Sequence, residues 1–320
     1  MYDVVALGEL LIDFTPAGKS ANGNDLFESN PGGAPANVLA TLAKFHATTA
    51  FIGKVGKDQF GSFLGETLRK NGIDTQGLIY SKGVNTTLAF VHLKEGGDRS
   101  FQFYRSPGAD IMLQEQEVDV ELVQQAKIFH FGSLSMTHEP AKTATLKALQ
   151  AAKAKSVLIS YDPNLRPALW ESLSHAKETI LEGMQYADIL KLSDEELEFT
   201  TGMRDLEEGS RFLFEKFDLK IVLITLGAKG CFYRFGKGKG HIAGFQVDTI
   251  DTTGAGDLFF GAFLHQFLQK DASWEAIQAE ELETMILFAN AVAALGTTKK
   301  GAIPAIPSLD EARQLFEGRN

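Results

Sequence analysis

The segment Asp251-Thr252-Thr253-Gly254-Ala255-Gly256-Asp257 runs directly into the apolar helical pattern Leu258-Phe259-Phe260-Gly261-Ala262-Phe263-Leu264. Small residues opening a helix let backbone N–H groups approach an anion, and the helix dipole favours negative charge at that end. Gly254, Ala255 and Gly256 are therefore read as a phosphate cradle. An aspartate in the first turn stays ionised in the same field, so Asp257 is suited to take a proton from a hydroxyl attacking the phosphate. The same residues also fit a plain tight turn followed by an ordinary helix-start aspartate. Short glycine motifs match by chance, so context has to separate the two readings.

Holding such a cradle requires a rigid frame, and the chain supplies one. Strand-sized apolar runs recur at Val4–Leu7, Thr49–Ile52, Ile128–Phe131, Val157–Tyr161, Ile189–Leu192 and Ile221–Thr225. Between them lie helical patterns, among them Pro35–Phe45, with Val38, Leu42 and Phe45 on one face, and Glu139–Lys153. This alternation predicts a three-layer α/β/α core with a mostly parallel sheet. One segment departs from it: Thr87–Leu93 and Arg99–Arg105 alternate like strands around Glu95-Gly96-Gly97-Asp98, a hairpin signal. It reads as a β-flap beside the carboxyl ends of the strands, where ligands of open α/β sheets bind. No Pro- or Ser-rich linker or repeat divides the chain, so 1–320 is expected to be one domain with a lid.

Bulk properties narrow the chemistry. A formal charge of -10 argues against nucleic acid, because displacing counterions takes concentrated Lys and Arg. Cys231 is the only cysteine, and no His/Cys cluster has zinc spacing, which fits a reducing cytoplasm. Met1–Glu9 lacks a basic n-region, so no signal peptide is expected. The longest near-apolar stretch, Leu258–Leu268, is too short for a membrane span. A small-molecule enzyme is the expectation. No Gly-x-x-x-x-Gly-Lys-Ser/Thr run occurs, so it is not a P-loop protein.

The heptapeptide at 251–257 resembles the C-terminal signature of the ribokinase-like, or phosphofructokinase-B, carbohydrate kinases. A second signature precedes it: Gly32-Gly33-Ala34-Pro35-Ala36-Asn37, then Gly53-Lys54-Val55-Gly56-Lys57-Asp58 and Phe60-Gly61. Two ordered, distant motifs make the functional reading of the cradle the stronger one. The resemblance spans essentially the whole chain and implies a ribokinase-like fold with lid segments near 13–32 and 85–108. It also implies a sugar held by Asp13, Gly32, Gly33 and Asn37. The segments Phe103–Asp110, Tyr161–Arg166, Lys191–Leu197 and Thr298–Pro304 are similar to those of the family's fructokinases. That similarity implies that Arg105 reaches the sugar from the lid and that Arg166 lies near the transferred phosphate.

ATP is then expected along Lys191, Ser193, the turn Thr225-Leu226-Gly227-Ala228-Lys229-Gly230, and Asn290. Magnesium is expected on the ATP phosphates with Glu196 behind it; Ser193-Asp194-Glu195-Glu196 departs from the family's frequent Asn-x-x-Glu. A potassium site is implied at Asp251 and the carbonyls near Thr253, Gly296, Lys299 and Gly301. The expected reaction is ATP-dependent phosphorylation of fructose at its C6 hydroxyl. 2-Keto-3-deoxygluconate kinase and ribokinase are the enzymatic alternatives, since two arginines can also clamp a sugar-acid carboxylate. A catalytically inactive homologue acting as a sensor or assembly subunit is the alternative outside enzymes. An exposed lid edge further suggests a homodimer.

Overall fold

The computed structural model describes residues 1–93, 99–236, 238–270 and 276–318. The turn predicted at 95–98 lies outside these residues. In chain order the larger elements are β1 (Tyr2–Leu7), β2 (Leu11–Lys19), β3 (Asp25–Gly32), α1 (Ala34–Lys44), β4 (Thr49–Gly56), α2 (Gln59–Lys70), β5 (Ile73–Ser81), β6 (Leu88–Leu93) and β7 (Arg99–Tyr104). They continue with α3 (Val120–Gln124), β8 (Ala126–Gly132), α4 (Ala141–Ala154), β9 (Leu158–Asp162), α5 (Leu173–Met184), β10 (Ile189–Ser193), α6 (Asp194–Thr201) and α7 (Leu206–Lys216). The last are β11 (Ile221–Thr225), β12 (Cys231–Phe235), β13 (Gly238–Ile242), α8 (Ala255–Leu268), α9 (Ala279–Thr297) and α10 (Leu309–Glu317).

Among the described residues the strands form two sheets. The larger has nine strands in the order β13-β12-β11-β10-β9-β8-β1-β4-β5, parallel from β11 to β5 and antiparallel at β12 and β13. Successive side chains on a strand point to opposite faces, and the apolar runs of this chain use both. Val4 and Ala6 of β1 join one buried cluster with Val38 and Leu42 of α1, Phe260 of α8 and Phe288 of α9. Val5 and Leu7 join the other with Ala144 and Ala148 of α4, Ile180 of α5 and Leu213 of α7. A strand buried on both sides must read as a continuous apolar run, which is how these segments appear in the sequence. The observed fold is the three-layer α/β/α core that the alternation predicts.

The second sheet has four strands in the order β3-β2-β6-β7. The expected hairpin is β6–β7, paired antiparallel. In β2 the apolar Ile12 and Phe14 alternate with the polar Asp13 and Thr15, which puts the two pairs on opposite faces. Phe14 stacks on Phe90 at 4.7 Å between ring centroids and meets Phe60 of α2 edge-on on one face, while Asp13 and Thr15 line a cleft on the other. No helix among the described residues is long and apolar enough to cross a membrane.

Candidate active site

The strand order reverses at β1, which has β4 on one side and β8 on the other, and the carboxyl ends of β8 to β11 lead toward one crevice. Asp162 ends β9, Ser193 ends β10 and Thr225 ends β11. Opposite them α8 begins. Gly254 stands at its N-cap with φ 75°, a left-handed conformation that glycine adopts without steric cost, and no side chain caps the helix. A Cβ on Gly254 would lie 2.5 Å from that of Ala302. Two constraints thus call for glycine here.

The loop before α8 divides two cavities. Thr252, Gly254, Ala255 and Gly256 line the crevice that also holds Arg166, Lys191, Ser193, Glu196 and Asp257. Asp251 and Thr253 face the other way, into the cleft under the small sheet with Asp13, Thr15, Glu28 and Asn30. Next to the crevice runs a mostly apolar groove formed by Thr225, Gly227, Gly230, Phe245, Val247, Phe259, Asn290, Ala293 and Thr297. Thr225, Gly227, Thr252, Ala255 and Gly256 belong to both, so the groove and the crevice are continuous. A flat apolar ring with a phosphate tail fits that shape.

Asp257 is only 8% exposed. Asn37, on α1, donates from Nδ2 to Asp257 Oδ2 at 2.8 Å, while its own Oδ1 is buried without a partner. Burial pushes the Asp257 carboxyl up to about 6, with repulsion from Asp162 added, against the Asn37 bond and the charges of Lys191 and Arg166. Asp13 is likewise raised by burial to about 6, with Arg166 opposing. Arg166 is exposed in the crevice and its field reaches both carboxylates. Gly32 lies against Asp13 so closely that a Cβ would strike the carboxylate, and a Cβ on Gly33 would strike the Glu9 carbonyl.

Lys191 Nζ donates to Asp162 Oδ2 at 2.8 Å in a buried pair. Burial opposes the charge on Lys191, but Asp162 and Glu196 outweigh it and its pKa is raised. The ammonium sits 2.8 Å from where a Cβ on Gly256 would be. Glycine at 256 therefore lets a cation approach the helix start from below. Ser193 and Glu196 form a reciprocal cap of α6: Ser193 Oγ accepts the Glu196 N–H at 3.1 Å and Glu196 Oε2 accepts the Ser193 N–H at 2.8 Å. Glu196 Oε1 accepts the Leu165 N–H at 2.7 Å, which fixes the segment bearing Arg166. Asn290 Nδ2 donates to the carbonyls of Ile242 and Ala243 at 3.1 and 3.3 Å, closing the far wall of the groove.

The expected cation residues also cluster. Asp251 Oδ1 accepts from the Thr253 N–H at 2.9 Å and from its hydroxyl, and Oδ2 accepts from the Gly301 N–H at 3.0 Å. The Gly296 carbonyl accepts the Lys299 N–H at 3.4 Å, and Lys299 Nζ lies 3.5 Å from Glu311.

Two expectations need correction. Arg105 does not extend from the small sheet toward the cleft. It follows β7 with a side chain 4% exposed, donating to Asp110 from Nε at 2.7 Å, to Thr137 from Nη1 at 3.0 Å and to the Leu134 carbonyl from Nη2 at 2.8 Å. A fork whose donors find buried protein acceptors is held in place, and this one lines neither cavity. The Ala255 N–H, expected in the cradle, is engaged by the Thr252 carbonyl at 3.2 Å. Sequence reasoning also missed Asp162 and Glu9, both buried with one unpartnered carboxylate oxygen. Asp162 was readable as an acid at the end of a strand run just before a proline.

The profile of pfkB family carbohydrate kinases matches residues 1–309. A probable fructokinase-2 of Arabidopsis thaliana is 45% identical over 311 residues, covering 97% of this chain and 94% of the relative. A crystal structure of fructokinase with bound ATP from Xylella fastidiosa superposes with TM-score 0.91 at 31% identity, covering 100% and 99% of the two chains. A fructokinase double mutant from Vibrio cholerae, solved with fructose, ADP and potassium bound, gives TM-score 0.88 at 32% identity over 98% of each chain. The fold is therefore ribokinase-like. The chain belongs to the pfkB family of carbohydrate kinases.

Proposed function

We propose that this protein is an ATP-dependent fructokinase that transfers the γ-phosphoryl group to the C6 hydroxyl of D-fructose. The observation that carries the reading is Asp257: a buried carboxylate at the uncapped start of α8, beside the loop that separates a nucleotide-shaped groove from a polar cleft. Fructose lies in the cleft, with Asp13 accepting from its hydroxyls and the unpartnered Asn37 Oδ1 taking another. Adenosine lies in the groove along Thr225, Gly227, Gly230 and Asn290, and the phosphates enter the crevice.

Asp257 takes the proton of the attacking hydroxyl as the oxygen meets the γ-phosphorus. The open helix start, with the Gly254 and Gly256 amides, and the cations of Lys191 and Arg166 stabilise charge on the transferred group. The Asn37 bond orients the base. Glu196 lines the crevice and is an oxygen donor that fits magnesium carried by ATP, which would neutralise phosphate charge; Asp162 stays buried behind it on Lys191. Asp251 with the carbonyls near Thr253, Gly296, Lys299 and Gly301 is a hard-oxygen set suited to potassium; that a Vibrio cholerae fructokinase was solved with potassium bound supports potassium as the ion, with the residues our own reading.

The internal pairing of Arg105 with Asp110 favours a neutral sugar over a sugar acid, since Arg166 alone is left to meet a carboxylate. Cytoplasmic location and a homodimer through the small sheet belong to the same proposal; Leu26, Phe27 and Tyr104 are exposed there. The test is coupled ADP release with Mg-ATP and potassium, comparing kcat/KM for fructose, ribose, glucose and 2-keto-3-deoxygluconate. Preference for the keto acid or ribose overturns the fructose assignment, and no turnover with any of the four overturns the kinase reading.

A further inference from the structure

The small sheet is joined to the core by four chain crossings: Glu9-Leu10 into β2, Gly33 out of β3, Thr87 into β6 and Arg105 out of β7. All four meet in one buried polar cluster. Glu9 Oε1 accepts the N–H of Ala34 at 2.8 Å and so joins the first two crossings. Asp110 joins the other two, accepting from Thr87 Oγ1 at 2.5 Å and Arg105 Nε at 2.7 Å. The Ile12 N–H donates to the Thr87 carbonyl at 3.1 Å and links the pairs. Gly108 permits the closeness, because a Cβ there would collide with the Thr87 hydroxyl and lie 2.8 Å from Asp110. Glu9, Thr87, Arg105 and Asp110 are all buried. The charge of Arg105 also reaches Glu9, whose Oε2 has no partner.

We propose that Asp110 and Thr87 are positioning residues: with Arg105 and Glu9 they pin the hinge of the small sheet, and so fix how Asp13 is presented over Asp257. A buried ion pair with three further hydrogen bonds is rigid when complete and unfavourable when half made, so it selects one hinge geometry. The groove of the nucleotide is lined by the core and, among the described residues, by none of the small sheet. Loosening the pin therefore affects sugar and ATP unequally.

The test compares wild type with Asp110→Asn, which keeps the size and removes one acceptor and the charge, and with Thr87→Val, which removes only the hydroxyl. Amide exchange followed by mass spectrometry is expected to speed up about tenfold or more in β2 and β6 and to stay unchanged in β4 and β8. With fructose, KM for the sugar is expected to rise about tenfold with KM for ATP within about twofold of wild type. Should Asp110→Asn fail to fold, Thr87→Val decides, with the same pattern at smaller amplitude. Unchanged exchange in the small sheet, or equal acceleration in both sheets, overturns the hinge assignment. The kinetic arm rests on the kinase reading, whereas the exchange arm does not; absence of sugar turnover by wild type would count against the former alone.

Discussion

Replacing Asp257 with Asn removes the base while keeping the shape, and the new side chain can still accept the Asn37 hydrogen bond. General-base removal commonly lowers turnover about 10²–10⁴-fold, equivalent to about 2.7–5.4 kcal/mol of transition-state stabilisation. The structure adds a pH signature and a stability signature. A base raised to about 6 is lost as pH falls through that value, so kcat/KM of the wild type should drop about tenfold per unit below pH 6. The residual activity of the variant should lack that limb. For stability, the folded carboxyl binds its proton more tightly than the unfolded one, whose value is near 3.8. Keeping it ionised therefore costs about 3 kcal/mol above pH 6, a cost that fades as pH falls toward 4 and both states become protonated. Asp257→Asn should accordingly be more stable than wild type at pH 8 and equal to it near pH 4. Steady-state rates by coupled ADP release and urea unfolding at pH 4, 6 and 8 check both. Retention of more than about a tenth of wild-type turnover, or an acid limb that survives the substitution, refutes Asp257 as the base.

Lys191→Met leaves Asp162 buried and unpaired, which should destabilise the fold by about 3–5 kcal/mol; adding Asp162→Asn should restore stability by urea unfolding without restoring turnover. Gly254→Ala forces a Cβ into a left-handed residue against Ala302, so a loss of about 1–2 kcal/mol in stability is expected together with a fall in kcat. Asp13→Asn should raise KM for fructose about tenfold or more while KM for ATP stays near wild type, read by varying each substrate in turn.

Much of this architecture is local and therefore legible in the order of the residues. Strands buried on both faces must be continuous apolar runs, and a helix that starts in glycines must show them, so the frame and residues 251–257 announce themselves in the sequence. The alternation of Asp251 and Thr253 toward one cavity and Thr252 and Gly254 toward the other was not legible, because it depends on what packs around the loop. Nor was the bond between Asn37 and Asp257, which lie 220 positions apart, or the pairing of Lys191 with Asp162 across neighbouring parallel strands. Residue type marks Arg105 as a candidate for binding a ligand; only the tertiary structure shows that Asp110, Thr137 and Leu134 already hold its guanidinium. Periodicity and turn chemistry act over a few residues and are written in the chain. Sheet order and the partners of buried charges arise from contacts between distant segments, and those exist only once the chain has folded.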